Sequence, residues 1–154
     1  ENEYTGIFNR SKPGELAVIY VDIANTKPMN DTYGHAAGDK LIQTITSALK
    51  RSTRPTDIWY RVGGDEFVGI IDGAHGEQKL PFREEAHVVA DRIRKNADSA
   101  IAKSDLPKDI FTGIGLGQAV KDAYVEPDEL LEVADKRMEA DKRRLYDEAG
   151  VERR

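Results

Sequence analysis

The eight residues Leu16–Ile23, Leu-Ala-Val-Ile-Tyr-Val-Asp-Ile, constrain this chain more than any other stretch. A run this apolar and β-branched reads as a central strand buried on both faces. Asp22 breaks the run near its C-terminal end. A carboxylate buried there costs several kcal/mol unless it is paired or bound to metal. The alternative is an edge carboxylate already emerging into solvent. A second constraint is Arg61-Val62-Gly63-Gly64-Asp65-Glu66-Phe67, flanked by Ile58-Trp59-Tyr60 and by Val68, Ile70 and Ile71. Paired glycines between two β-prone runs predict a tight hairpin in which glycine takes positive φ. Asp65 and Glu66 then stand at the tip of a sheet. Adjacent carboxylates repel, whereas Mg²⁺ takes hard oxygen ligands and glycines let a phosphate approach the backbone. The plainer reading is a solvated turn.

The rest of the chain supplies helices to cover such a sheet. Residues 1–10 read as a polar, turn-rich opening, and Ser11–Glu15 as a loop around Pro13-Gly14. From Asn25 to Asp39, Pro28 and two glycines divide the chain into short pieces rich in polar groups. Lys27, Asn30 and Asp39 could read a polar ligand there, or Asn and Asp could serve local turns. Leu41, Ile45 and Leu49 form a helical stripe ending near Arg51, and Arg54-Pro55-Thr56-Asp57 links it to the hairpin. A second amphipathic helix is expected over about residues 83–103. Within 108–118, Thr112, Ile114 and Leu116 alternate with Gly113, Gly115 and Gly117, which predicts a strand with another backbone close to one face. Pro127 opens a last helix, with Asp128 and Glu129 in its first turn. The charged run from Lys142 to Arg154 is expected to fray. The order β-α-β-β-α-β-α predicts an α/β fold with helices on a mixed central sheet. One domain spans 1–154: an opening segment 1–15, a core 16–148 and a tail 149–154.

Composition narrows the function. The chain has 154 residues, no cysteine and a net charge of −5, with 39% hydrophobic and 33% charged residues. Disulfides and thiolate metal sites are excluded, and a reducing, cytoplasmic setting is expected. The acidic balance argues against nucleic acid as a partner. No run approaches membrane-spanning length, so no membrane insertion by this segment is expected. His35, His75 and His87 lack zinc-ligand spacing and read as structural.

Taken together, the motifs resemble the GGDEF family of diguanylate cyclases over nearly the whole chain. Gly63-Gly64-Asp65-Glu66-Phe67 is the motif that names the family. Asn30-Asp31-x-x-Gly34-His35-x-x-Gly38-Asp39 matches its second motif. Tyr4-Thr5-Gly6-Ile7-Phe8-Asn9-Arg10 is similar to its opening motif, and Ala134-Asp135 with Lys142 to its closing helix. The resemblance implies a nucleotide-cyclase palm with a ferredoxin-like core, converting two GTP into cyclic di-GMP and two pyrophosphates. It implies Mg²⁺, or Mn²⁺, held by Asp22, the Ile23 carbonyl and Asp65, with Asp65 and Glu66 catalytic. Asn30 and Asp39 would read guanine, Lys27 and Lys142 would hold phosphates, and Gly63-Gly64 would lie against the α-phosphate. It implies a homodimer, because each protomer holds one GTP, and an upstream sensory domain. Arg54, Asp57 and Arg92 stand where the family has a product-inhibition site.

The chain also departs from the family pattern. Ala24 and Thr26 replace the usual Asp and Phe, and since neither is a core metal ligand, modest effects are expected. Glu139 stands where an aromatic is common. Tyr146 stands where a phosphate-binding Arg is expected, leaving Arg143 or Arg144 to substitute. The interval from Arg10 to Asp22 is too short for the helix the family places there. A catalytically silent module that binds GTP or cyclic di-GMP and regulates a partner is the alternative reading, and a generic ferredoxin-like interaction domain a third.

Overall fold

A computed structural model describes residues 2–73 and 81–151. Strand β1 (Leu16–Ile23) is the hub. It pairs antiparallel with β3 (Glu66–Asp72) on one side and with β4 (Ile114–Val120) on the other, and β3 pairs antiparallel with β2 (Ile58–Arg61). The order β2-β3-β1-β4 makes every pairing among the described residues antiparallel, where mixed pairing was expected. The crossover after β1 does return β2 parallel to β1. It sets β2 beyond β3, however, so no two parallel strands are neighbours.

Two helical layers cover the sheet. Helices α2 (Thr26–Tyr33), α3 (His35–Arg51) and α4 (Phe82–Lys103) pack on one face through Ile19, Val21, Ile23, Leu41, Ile45, Phe67 and Ile93. Helices α1 (Glu3–Arg10) and α5 (Pro127–Ala149) pack on the other, against Leu16, Val18, Val68, Ile70 and Ala119. Gly117 explains how closely α5 approaches. A Cβ there would lie 2.2 Å from the Ala134 carbonyl oxygen and the Met138 nitrogen, so the expected close backbone is α5.

Two corrections concern the ends of the chain. The opening is a helix: Asn2 caps α1 by accepting from the Thr5 amide at 2.8 Å, and Tyr4, Ile7 and Phe8 form its buried stripe. Eight residues hold too few turns for that stripe to show as a period. The charged run from Lys142 does not fray but stays helical to Ala149, since buried Tyr146 pins it to the core. His75 lies outside the described residues. His87 Nδ1 accepts a hydrogen bond from Gln118 Nε2 at 2.7 Å.

The outer margin of β4 is closed by side chains. Asp141 accepts from the Leu116 amide at 2.9 Å, Arg137 donates to the Gln118 carbonyl at 2.7 Å, and Arg94 donates to the Ile114 carbonyl at 3.4 Å. Burial opposes the Asp141 charge, but Arg144, the Leu116 amide and Arg94 outweigh it and hold its pKa below the usual carboxylate range. Among the described residues no helix is long and apolar enough to cross a membrane.

Candidate active site

The site forms where β1, β3 and β4 end together and α5 passes over them. Asp22 is paired across the sheet with Glu66 on β3 and Gly115 on β4. It is only 3% exposed, which rules out a carboxylate emerging into solvent. Lys142 on α5 donates to Asp22 Oδ2 at 2.9 Å, and Gly115 makes room for that stretch of helix, since a Cβ there would lie 2.8 Å from the Lys142 Cβ. The other oxygen, Asp22 Oδ1, is buried with no hydrogen-bond partner among the described residues. Burial raises the Asp22 pKa to about 7; Lys142 opposes the shift and the charges of Asp65 and Glu66 add to it.

The turn that carries Asp65 runs from Val62 to Asp65. The Val62 and Gly63 amides both donate to the Glu66 carbonyl, at 2.9 and 3.3 Å. Among the described residues, positive φ occurs at Asn25, Gly14, Gly34 and Gly150, and not at Gly63 or Gly64 as the paired glycines suggested. Four connecting residues reverse the chain with ordinary dihedrals, so these glycines keep the surface low instead. A Cβ on Gly64 would meet open space, and one on Gly63 would crowd Glu66 Oε2 at 3.2 Å. Arg61 folds back over the turn, donating to the Gly63 carbonyl at 3.3 Å and to the Gly64 carbonyl at 3.1 and 2.5 Å. The Asp65 carbonyl accepts from the Ile23 amide at 3.0 Å, tying the turn to the end of β1.

Helices α2 and α3 bring Asn30 and Asp39 to one neighbourhood. Asn30 packs over Gly38, the residue before Asp39, so closely that a Cβ on Gly38 would fall 1.6 Å from Asn30 Oδ1. The segment expected to break into short pieces is therefore two helices, hinged at Gly34 with φ of 92°. Lys27 is exposed and pairs with Asp31 at 3.2 Å. Arg144, a candidate to replace the missing phosphate-binding Arg, is engaged by Asp141 and Glu148, both at 2.8 Å.

A second cluster lies at the loop before β2. Asp57 accepts from the Arg54 amide at 2.9 Å and from the Asp72 amide at 3.3 Å, with its side chain 2% exposed. The Arg54 guanidinium donates to Glu85 on α4 at 3.1 Å, and Arg92 on α4 donates to the Ser52 carbonyl at 2.8 Å. Both arginines therefore bridge the Ser52–Asp57 loop and α4. Three residues named in the sequence but given no contact there touch the site or its frame: Arg61, Thr26, whose hydroxyl donates to Asp65 Oδ2 at 2.7 Å, and Tyr146, bonded to Asn25. The partners of Thr26 and Tyr146 are distant in sequence, and no spacing rule reveals such contacts; Arg61 bonds within its own turn, where the fold-back of a side chain leaves no sequence signal.

A four-stranded antiparallel sheet with acidic side chains and a low glycine turn at one end is the frame of a GGDEF-type α/β domain. The model of the family "Diguanylate cyclase, GGDEF domain" matches residues 4–147, and the chain belongs to that family. Diguanylate cyclase DosC of Escherichia coli K12 is 29% identical over 129 residues, covering 84% of this chain and 26% of DosC. The probable diguanylate cyclase DgcT of the same organism is 30% identical over 137 residues, covering 87% and 28%. The chain thus spans about a quarter of the length of these relatives. Among solved structures, the GGDEF domain of YfiN (TpbB) from Pseudomonas aeruginosa superposes with a TM-score of 0.70 at 28% identity, over 92% of this chain and 83% of that one. The GGDEF domain of DgcB from Caulobacter crescentus, solved with c-di-GMP, gives 0.66 at 26% identity, over 83% and 72%.

Proposed function

We propose that this domain is a diguanylate cyclase, condensing two GTP into cyclic di-GMP. The observation that carries the reading is Asp22: a buried carboxylate with one oxygen on Lys142 and the other unpartnered, one strand from the Gly63-Gly64-Asp65-Glu66 turn. An oxygen in that condition suits a divalent cation. Among the described residues no three acidic or histidine side chains converge to hold a metal by themselves. The hard oxygen donors of Asp22, the Ile23 carbonyl and Asp65 nevertheless fit Mg²⁺ or Mn²⁺, with triphosphate oxygens completing the shell. When bound, the cation supplies charge stabilisation at the α-phosphate and lowers the pKa of the attacking hydroxyl.

The chain's own groups then have defined tasks. Asn30 and Asp39 hold the guanine edge, an amide and a carboxylate matching its O6 and its N1–H and N2–H₂. Gly63 and Gly64 admit the phosphates to the turn, Lys142 and Lys27 meet their charge, and Glu66 assists Asp65. The 3′-oxygen of each GTP attacks the α-phosphorus of the other. Each attack forms one P–O bond, breaks the α–β bridge, expels pyrophosphate and releases the hydroxyl proton. Two protomers facing each other around a two-fold axis bring the two nucleotides together. Arg54 and Arg92 form a site at which product restrains the enzyme, with guanidinium groups able to grip phosphate bidentately, while Asp57, buried on the Arg54 and Asp72 amides, holds the loop that presents Arg54. In the cell the domain would work in the cytoplasm beneath an upstream sensory domain.

Incubating the domain with GTP and Mg²⁺ and resolving the products by chromatography tests the reading. Cyclic di-GMP and pyrophosphate are expected, with no dinucleotide from ATP. Nucleotide binding without product would leave a silent GTP-binding module instead.

A further inference from the structure

Two of the departures from the family pattern, Thr26 and Tyr146, are linked through Asn25, the residue before Thr26. Thr26 is 8% exposed, and its hydroxyl donates to Asp65 Oδ2 at 2.7 Å. It is the first residue of α2, following Asn25, which holds the left-handed conformation with φ of 64°. Asn25 is clamped from three directions. Its amide donates to the Tyr146 hydroxyl at 3.1 Å, that hydroxyl donates to Asn25 Oδ1 at 3.2 Å, and Asn25 Nδ2 donates to the Phe111 carbonyl at 2.7 Å. The preceding residue is fixed as well, since the Ala24 carbonyl accepts from Thr112 Oγ1 at 2.8 Å and its amide donates to the Gly113 carbonyl at 2.8 Å. Phe111 and Tyr146 close the clamp edge to face, with ring centroids 6.0 Å apart.

We infer that Thr26 is a positioning residue for Asp65, and that the Tyr146–Asn25 clamp sets Thr26 in place. A carboxylate on an exposed turn would otherwise sample several orientations, and holding it in one before the ligand arrives removes part of the ordering cost of binding. A threonine does this better than a flexible donor because its β-branch stiffens χ1. The usual Phe has no hydroxyl to offer, and the usual Arg at position 146 has no hydroxyl for Asn25. The two departures thus work as a unit. The inference rests on the cyclase reading, in which Asp65 serves a metal–triphosphate complex.

Calorimetric titration with Mn²⁺ and 3′-deoxy-GTP, which lacks the attacking hydroxyl, reads binding without turnover. Thr26→Val keeps the shape and removes the donor, and should weaken binding about tenfold, the size of a lost hydrogen bond to a charged group. Thr26→Ser should restore it to within about twofold, because the donor returns. Tyr146→Phe should show a smaller loss in the same direction. In an Asp65→Ala background, which removes the acceptor, Thr26→Val should add nothing. Should Thr26→Val not fold, Tyr146→Phe with and without Asp65→Ala carries the same comparison. Wild-type affinity in Thr26→Val, or a full effect persisting without Asp65, would overturn the inference and leave the cyclase reading standing. A wild-type domain that does not bind the complex would overturn both.

Discussion

Asp22 and Asp57 are both buried aspartates at strand ends, and they differ in what surrounds them. Asp57 uses both oxygens on backbone amides, those of Arg54 and Asp72, and so closes the loop that delivers the chain to β2. Asp22 has one oxygen on Lys142 and one with no partner among the described residues, with two more carboxylates nearby pushing its pKa upward. Burial alone therefore does not mark a functional carboxylate; burial with an unmet bond does. Asp57 contributes to the fold as it stands. Asp22 costs stability that a bound ligand would return.

The contrast can be broken in four places. The largest effect is expected at the Asp22 end: Asp65→Asn should lower cyclic di-GMP synthesis by roughly a thousandfold or more, as loss of a charge-stabilising group does. Its melting temperature should stay at or above the wild-type value, and substantial synthesis would refute the assignment. At the other end, Asp57→Ala should destabilise the domain by about 2–3 kcal/mol, because two partly buried amides lose their acceptor. Denaturant melts measure this, and an unchanged midpoint would show that the two amide contacts of Asp57 do not support the fold. A third substitution separates binding from folding. Gly38→Ala places a methyl group on the Asn30 side chain while improving helix propensity, so KM for GTP should rise about tenfold with the melting temperature held. An unaltered KM would remove Asn30 from the guanine site.

The smallest effect is the dependence on pH. The Asp22 carboxyl has its pKa raised from 3.8 to about 7 by burial. The native state therefore holds a proton that the unfolded chain has released, and the stability from the protonated form is full below pH 3.8 and lost as pH rises through 7. Wild-type stability should therefore fall steadily across that window. Asn at position 22 should flatten the profile, and parallel curves for the two proteins would show that Asp22 does not titrate there.

Much of this was legible in the sequence, for particular reasons. The strand at Leu16–Ile23 announced itself by a nearly continuous apolar run rich in Val and Ile, and the glycines at 115 and 117 by interrupting an alternation that only a close backbone explains. Asp22, Asp65 and Lys142 were legible as candidates, and the Lys142–Asp22 ion pair, which joins positions 120 residues apart, was not. The Gly63-Gly64 turn was located correctly and given the wrong dihedrals, since spacing fixes where a chain reverses and loop length fixes how. Thr26 reads as a minor departure until its hydroxyl is seen on Asp65. Helix α1 was hidden because one cap and three apolar residues are too few to outweigh a polar composition.

The Asp141, Arg137 and Arg94 contacts along β4 have a consequence for crowded solutions. A twisted sheet invites another strand wherever its margin is unsatisfied, and runaway stacking needs two such margins on every molecule. With the β4 side sealed, each copy could offer only its β2 side. Edge-to-edge association would then end at a pair, and concentrated protein should form dimers before it forms fibrils.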